Sequence, residues 1–144
     1  MPCATLEAIA AGCESAFTID AARVTFGVGA LAEVGARARA LGVRRAAVFT
    51  DRRLRALPWF AELAASLAAA GVEAIVFDDV AIEPTDASLA AAIAFAADAR
   101  PDGYVSLGGG SVIDTAKAVN VLVSEGGDDL RAYSGTGVVK RRLR

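Results

Sequence analysis

The sequence contains no histidine. Its own side chains therefore cannot supply a Ser-His-Asp triad, a histidine general base or a histidine-rich metal site. Cysteine is scarce: Cys3 and Cys13 stand near the start and do not form a Cys-x-x-Cys pair. A disulfide framework needs more of them, so a reduced, cytoplasmic setting is expected. Long hydrophobic runs are missing as well. The stretches around Leu63–Val72 and Leu89–Ala97 are too short or too broken to span a bilayer, so no membrane partner is expected. The N-terminus has no basic segment, and Glu7 interrupts any apolar one, which argues against a secretory signal. Net charge is only −2, which argues against nucleic acid as the main partner.

What is present is an alanine-rich chain of 144 residues, 55% hydrophobic, long enough for one domain with a real core. Charge is uneven along it. Acids dominate from Glu73 to Asp129, opposed by Arg100 and Lys117, whereas Arg131–Arg144 is basic. No internal repeat is visible.

Short apolar runs alternate with helix-period segments. Residues 1–15 read as a lead-in. Ala16–Ile19 and Arg23–Phe26 alternate about Asp20-Ala21-Ala22, as a hairpin would. Leu31, Val34, Ala38 and Leu41 recur at helical spacing up to Gly42. Ala46–Phe49 is a compact strand, and a helix follows from Pro58 to Ala70, ended by Gly71. Ala74–Phe77 is the next strand, and Thr85 or Asp86 caps a helix through Ala99. After the Pro101-Asp102-Gly103 turn come a strand at Tyr104–Leu107 and a helix over Ser111–Ser124. This alternation predicts βαβ units: an α/β, Rossmann-like domain over 16–125, with a parallel sheet covered on both faces and an N-terminal β-hairpin. Residues 126–144 read as an irregular basic tail.

The loops beyond the carboxyl ends of the strands are where such sheets bind ligands. The most specific is Gly108-Gly109-Gly110-Ser111, between an apolar strand and an amphipathic helix. Adjacent glycines let backbone N–H groups approach an oxygen cluster, and the helix start adds partial positive charge, which together cradle a phosphate or pyrophosphate. A Ser-x-x-Asp capping box of Ser111 and Asp114 would need no ligand, but leaves two of the glycines without a reason. Asp114 and Lys117 share a helix face, either as a surface ion pair or as ligand contacts. Val112, Ala116, Val119 and Val123 form another face, expected to pack on the sheet. Gly27-Val28-Gly29-Ala30-Leu31-Ala32 matches a G-x-G-x-x-A dinucleotide fingerprint, but the preceding "RVTF" carries Arg23 and Thr25, so a hairpin-to-helix turn is the favoured reading. Asp51, closing a strand, either meets an adenosine ribose and repels a 2′-phosphate or caps the next helix, with Arg52 and Arg53 beside it.

The run Gly108-Gly109-Gly110-Ser111-x-x-Asp114-x-Ala116-Lys117 resembles the signature of the iron-containing (group III) alcohol dehydrogenases. The order of "FGVGALAEVG", "VFTD" and "EPTD" before it agrees, so the resemblance covers roughly Phe17 to Leu122. "EPTDASLAAAIAFA" with "DTAKAVN" looks most like the hydroxyacid–oxoacid transhydrogenase-like branch. The resemblance implies an N-terminal dinucleotide-binding domain followed by an all-helical metal domain, the latter absent from this chain. It implies NAD, with NADP possible, as cofactor and a small alcohol or hydroxy acid as substrate. Gly108, Gly109, Gly110 and Ser111 would hold the pyrophosphate, Asp51 would face the adenosine ribose, and Asp114 and Lys117 would lie toward the nicotinamide. Glu83 stands where many members carry asparagine before Pro-Thr and is counted with the cofactor contacts.

Members bind Fe²⁺ or Zn²⁺ through one aspartate and three histidines of the helical domain, so a metal is expected only in a full-length form. Tyr133–Arg144 faintly resembles a downstream Ser-Gly-Thr-Gly loop of the family but comes too early, and no role is carried onto it. A truncated or frame-disrupted end, no turnover by this chain alone, and self-association into a homo-oligomer are expected. The alternatives are a non-catalytic nucleotide module of a split system, a glycerol or glycerol-phosphate dehydrogenase relative, or a dehydroquinate-synthase-like lyase.

Overall fold

The computed structural model describes residues 24–126. Most of the expected N-terminal hairpin, the lead-in and the basic tail lie outside these residues. Val24–Phe26, the end of that hairpin, belong to no strand. The fingerprint at Gly27–Ala32 therefore lacks the strand it requires. Gly27–Gly29 instead form a turn, with Gly29 at φ 78°, into a 3-10 turn over Ala30–Glu33.

The ordered elements then follow as helix α1 (Val34–Ala40), strand β1 (Arg45–Phe49), a short helix α2 (Arg52–Arg55), helix α3 (Pro58–Ala69), strand β2 (Glu73–Phe77), helix α4 (Asp86–Ala99), strand β3 (Gly103–Ser106) and helix α5 (Gly110–Glu125). Pro58 sits in the first turn of α3, where a missing N–H costs nothing, and Gly71 at φ 68° follows its end. Thr85 caps α4: its hydroxyl accepts from Ser88 N, while Ser88 Oγ accepts from Thr85 N. The helix α5 starts at Gly110, with Gly109 as its cap and no side-chain cap bond, so the Ser111–Asp114 capping box does not form.

The sheet is parallel throughout, in the order β2-β1-β3. Strand β1 is central, and its side chains alternate between two cores. Ala46 and Val48 join Ala38, Val43, Phe60, Leu63 and Leu67 under α1 and α3. Ala47 and Phe49 join Ala92, Ala96, Val112, Ala116 and Val119 under α4 and α5. A strand buried on both faces must be apolar at every position, which is why "AAVF" shows no polar alternation. The sheet-facing stripe read for α5 holds: Val112, Ala116 and Val119 are buried, and Val123 packs against the same cluster.

The chain leaves β1 in one direction to build β2, then crosses over to build β3 on β1's other side. This reversal opens a crevice between the carboxyl ends of β1 and β3, the place where open α/β sheets take ligands. Among the described residues no helix is long and apolar enough to cross a membrane.

Candidate functional site at the β1–β3 crevice

The loops after β1 and β3 are bonded to each other. Leu107 N donates to Phe49 O at 2.9 Å, and Thr50 Oγ1 donates to Leu107 O at 2.9 Å. Thr50 has no exposed surface. Its own amide donates to Phe77 O at 3.0 Å, so one buried threonine joins the ends of all three strands. Sequence reasoning stopped at Thr50 as a strand end. A hydroxyl closing an apolar strand was the signal for this role.

The three glycines after β3 differ in what they do. A Cβ on Gly108 would lie 2.5 Å from Val112 Cγ2 and 2.7 Å from Val112 Cβ, so Gly108 is demanded by the packing of α5 on the sheet. Around Gly109 and Gly110 a Cβ would meet none of the described residues within 4 Å. Gly109 has φ −82° and ψ −166°, extended backbone that any residue adopts. Neither packing nor this dihedral pair asks for glycine there. The amides of Gly109, Gly110 and Ser111 have no hydrogen-bond acceptor among the described residues, because the helix's first bonds are Val112 N and Ile113 N to Gly109 O, both 3.1 Å. The helix mouth thus presents open N–H donors, the positive end of a sixteen-residue dipole and bare space beside the backbone.

Asp51 stands at the end of β1, the strand next to β3. Its Oδ1 accepts from Arg53 N at 2.8 Å and Leu54 N at 2.9 Å, capping α2. Both bonds fall on one oxygen, which leaves Oδ2 outside the cap. Two of the neighbouring arginines, Arg52 and Arg55, are held elsewhere. Arg52 pairs with Asp79 at 2.9 Å, and Arg55 lies 3.7 Å from Asp78 and 4.4 Å above the Phe60 ring. The third edge is the loop before α4. There Ser111 Oγ donates to the carbonyl oxygen of Ile82, the residue before the exposed Glu83.

Asp114 and Lys117 lie apart from this cluster. Both are exposed on α5, and no ion pair joins them among the described residues. At about 1.5 Å per residue, Lys117 is roughly 9 Å further along the helix axis than Ser111. Among the described residues no side-chain hydrogen bond or ion pair joins Asp114 or Lys117 to residues 108–111. Among the described residues no group of His, Cys, Asp and Glu could hold a metal ion. With no histidine in the chain, the aspartate and three-histidine set that the resemblance implies for Fe²⁺ or Zn²⁺ is not supplied by these residues, so that ion does not fit here.

The family model for "Iron-containing alcohol dehydrogenase" matches residues 21–143. The mitochondrial hydroxyacid-oxoacid transhydrogenase of Mus musculus is 35% identical over 125 residues, 87% of this chain and 27% of that protein. Its counterpart in Xenopus tropicalis is 39% identical over 120 residues, 83% of this chain and 26% of that protein. The crystal structure of a 1,3-propanediol oxidoreductase superposes with a TM-score of 0.76 at 31% identity, covering 82% of this chain and 31% of that one. The chain spans about a quarter of the length of the curated relatives it matches.

Proposed function

This chain belongs to the iron-containing alcohol dehydrogenase family, and from that premise we propose that it is the part of an oxidoreductase that binds a nicotinamide dinucleotide. The open amides of Gly109, Gly110 and Ser111, beside positions where a Cβ would meet only space, carry this reading. They suit a group that is anionic, rich in acceptor oxygens and bulky enough to need bare backbone, as a diphosphate is. Asp51 Oδ2 is the acceptor left for a ribose hydroxyl, and its charge disfavours a 2′-phosphate, so NAD is preferred over NADP. When bound, the nicotinamide supplies the two-electron acceptor of a hydride transfer. What these residues contribute is binding, orientation and charge.

The whole protein's reaction is then oxidation of an alcohol or hydroxy acid. The transhydrogenase relatives favour the hydroxy acid as substrate class. No residue described here polarises a substrate oxygen, and no step is routed through a metal. The 144 residues alone are expected to bind dinucleotide and not to turn over alcohol. Self-association and a cytoplasmic location belong to the same proposal.

Titration of NADH and NADPH against the chain, read by nicotinamide fluorescence, tests it. The expected result is saturable NADH binding, weaker NADPH binding, and loss of both in Gly109→Val. Equal binding by Gly109→Val removes the glycine mouth as the diphosphate site.

A further inference from the structure

We infer that Ser111 is a positioning residue: its hydroxyl fixes the 81–84 loop at the rim of the glycine mouth, and the diphosphate is left to the backbone amides. This rests on the dinucleotide reading for its second half only. The first half follows from hydrogen-bond capacity. A serine hydroxyl has one hydrogen. In Ser111 that hydrogen is given to Ile82 O. A phosphodiester oxygen at neutral pH is an acceptor and has no hydrogen to return. Ser111 therefore cannot donate to a diphosphate while it holds Ile82.

The loop needs this bond. Among the described residues, it is the one hydrogen bond made by residues 81–84. On one side Val80 N reaches Thr50 O only at 3.4 Å, and on the other the next bonds belong to the Thr85–Ser88 cap. Ile82 is 77% exposed, so packing does not hold the loop either. The mouth loses nothing by committing Ser111 in this way. Its free donors are main-chain N–H groups, which need no side chain and already point from the helix start.

Backbone order parameters of the amides of 81–83, from nitrogen-15 relaxation, test the tether with no nucleotide present, in the full chain. Among the described residues these amides donate no hydrogen bond, so loop mobility is what the tether controls. Ser111→Ala is expected to lower the order parameters toward the flexible range, below about 0.6, and Ser111→Thr, which keeps the hydroxyl, to restore them. NADH affinity in Ser111→Ala should fall by no more than about 10-fold, whereas Gly109→Val abolishes it. Unchanged order parameters together with a larger loss of NADH affinity in Ser111→Ala would make Ser111 a direct phosphate ligand and overturn the inference. If Ser111→Ala does not fold, the wild-type chain decides. Order parameters in 81–83 that drop on saturation with NADH mean the hydroxyl has left Ile82, which also overturns it, while unchanged or higher ones support it. Should Gly109→Val bind NADH normally, the dinucleotide reading fails, and the tether still stands or falls on the ligand-free order parameters.

Discussion

The hydroxyl of Thr50 donates to the carbonyl oxygen of Leu107 at 2.9 Å, across the carboxyl ends of β1 and β3. Asp51 and Gly108 are the next residues on each side. This bond, made by a residue with no exposed surface, joins the two sides of the candidate site together with the bond from Leu107 N to Phe49 O. Thr50→Val keeps the shape and removes the donor, leaving Leu107 O without this partner. A loss of about 1–3 kcal/mol in urea unfolding is expected. NADH affinity should weaken with it, and a variant as stable as the parent would show that the bond contributes nothing.

Gly108 and Gly109 are adjacent and predict opposite behaviour. Gly108→Ala drives a methyl into Val112 and should cost about 1–3 kcal/mol of stability. Gly109→Ala meets no atom and uses an ordinary backbone angle, so stability should stay within about 0.5 kcal/mol. Its deficit should be confined to dinucleotide binding. Denaturant midpoints and NADH titration on both proteins separate the two roles.

Asp51 caps α2 and has a proposed ribose contact. Serine caps as well as aspartate. Asp51→Ser should therefore hold stability within a few tenths of a kcal/mol, while raising NADPH affinity relative to NADH. Asp51→Ala should lose both, with about 1 kcal/mol of stability gone. An unchanged NADPH-to-NADH ratio in Asp51→Ser would confine Asp51 to the cap.

Gly35 lies where α1 crosses α3, and its amide donates to Ser66 Oγ at 2.9 Å. A Cβ there would sit 1.9 Å from Ser66 O, which is backbone and cannot swing away. Gly35→Ala should cost about 3 kcal/mol or fail to fold, as judged by thermal melting.

Burial pushes the Tyr104 phenol above its ordinary value. The folded chain then keeps a proton that the unfolded chain releases. The corresponding stability is complete below about pH 10 and is lost as pH rises through the folded value. Tyr104→Phe, which preserves the stacking on Phe49, should flatten that alkaline decline in a series of melts.

Much of the fold was legible in the chain. β1 and β2 begin one residue before the predicted runs, β3 is displaced by one at each end, and the sheet-facing stripe of α5 was read from spacing alone. Those features follow from burial period, and period is a property of sequence. The glycine mouth was legible for a similar reason, since a run of residues without side chains is visible without coordinates. The capping box, the alternative that needed no ligand, does not form. Ser111 and Asp114 have the right identities, but the helix begins one residue earlier, at Gly110, and Ser111's hydrogen went to a carbonyl 29 positions away. Thr50 was passed over because its partner, Leu107, is 57 positions distant.

The amino-acid order by itself determined the alternation of strand and helix, the absence of histidine chemistry and the bare backbone at Gly109 and Gly110. These depend on neighbours within a few residues or on which atoms exist at all. Only the folded chain decided that β3 lies on the far side of β1 from β2, which puts Asp51 and Gly108 at the ends of adjacent strands, and that Gly108 answers to Val112 while a Cβ at Gly109 or Gly110 would meet none of the described residues. The physical reason is that strand order and hydroxyl partners are settled by contacts between residues far apart in the chain, among many pairings that local pattern allows equally.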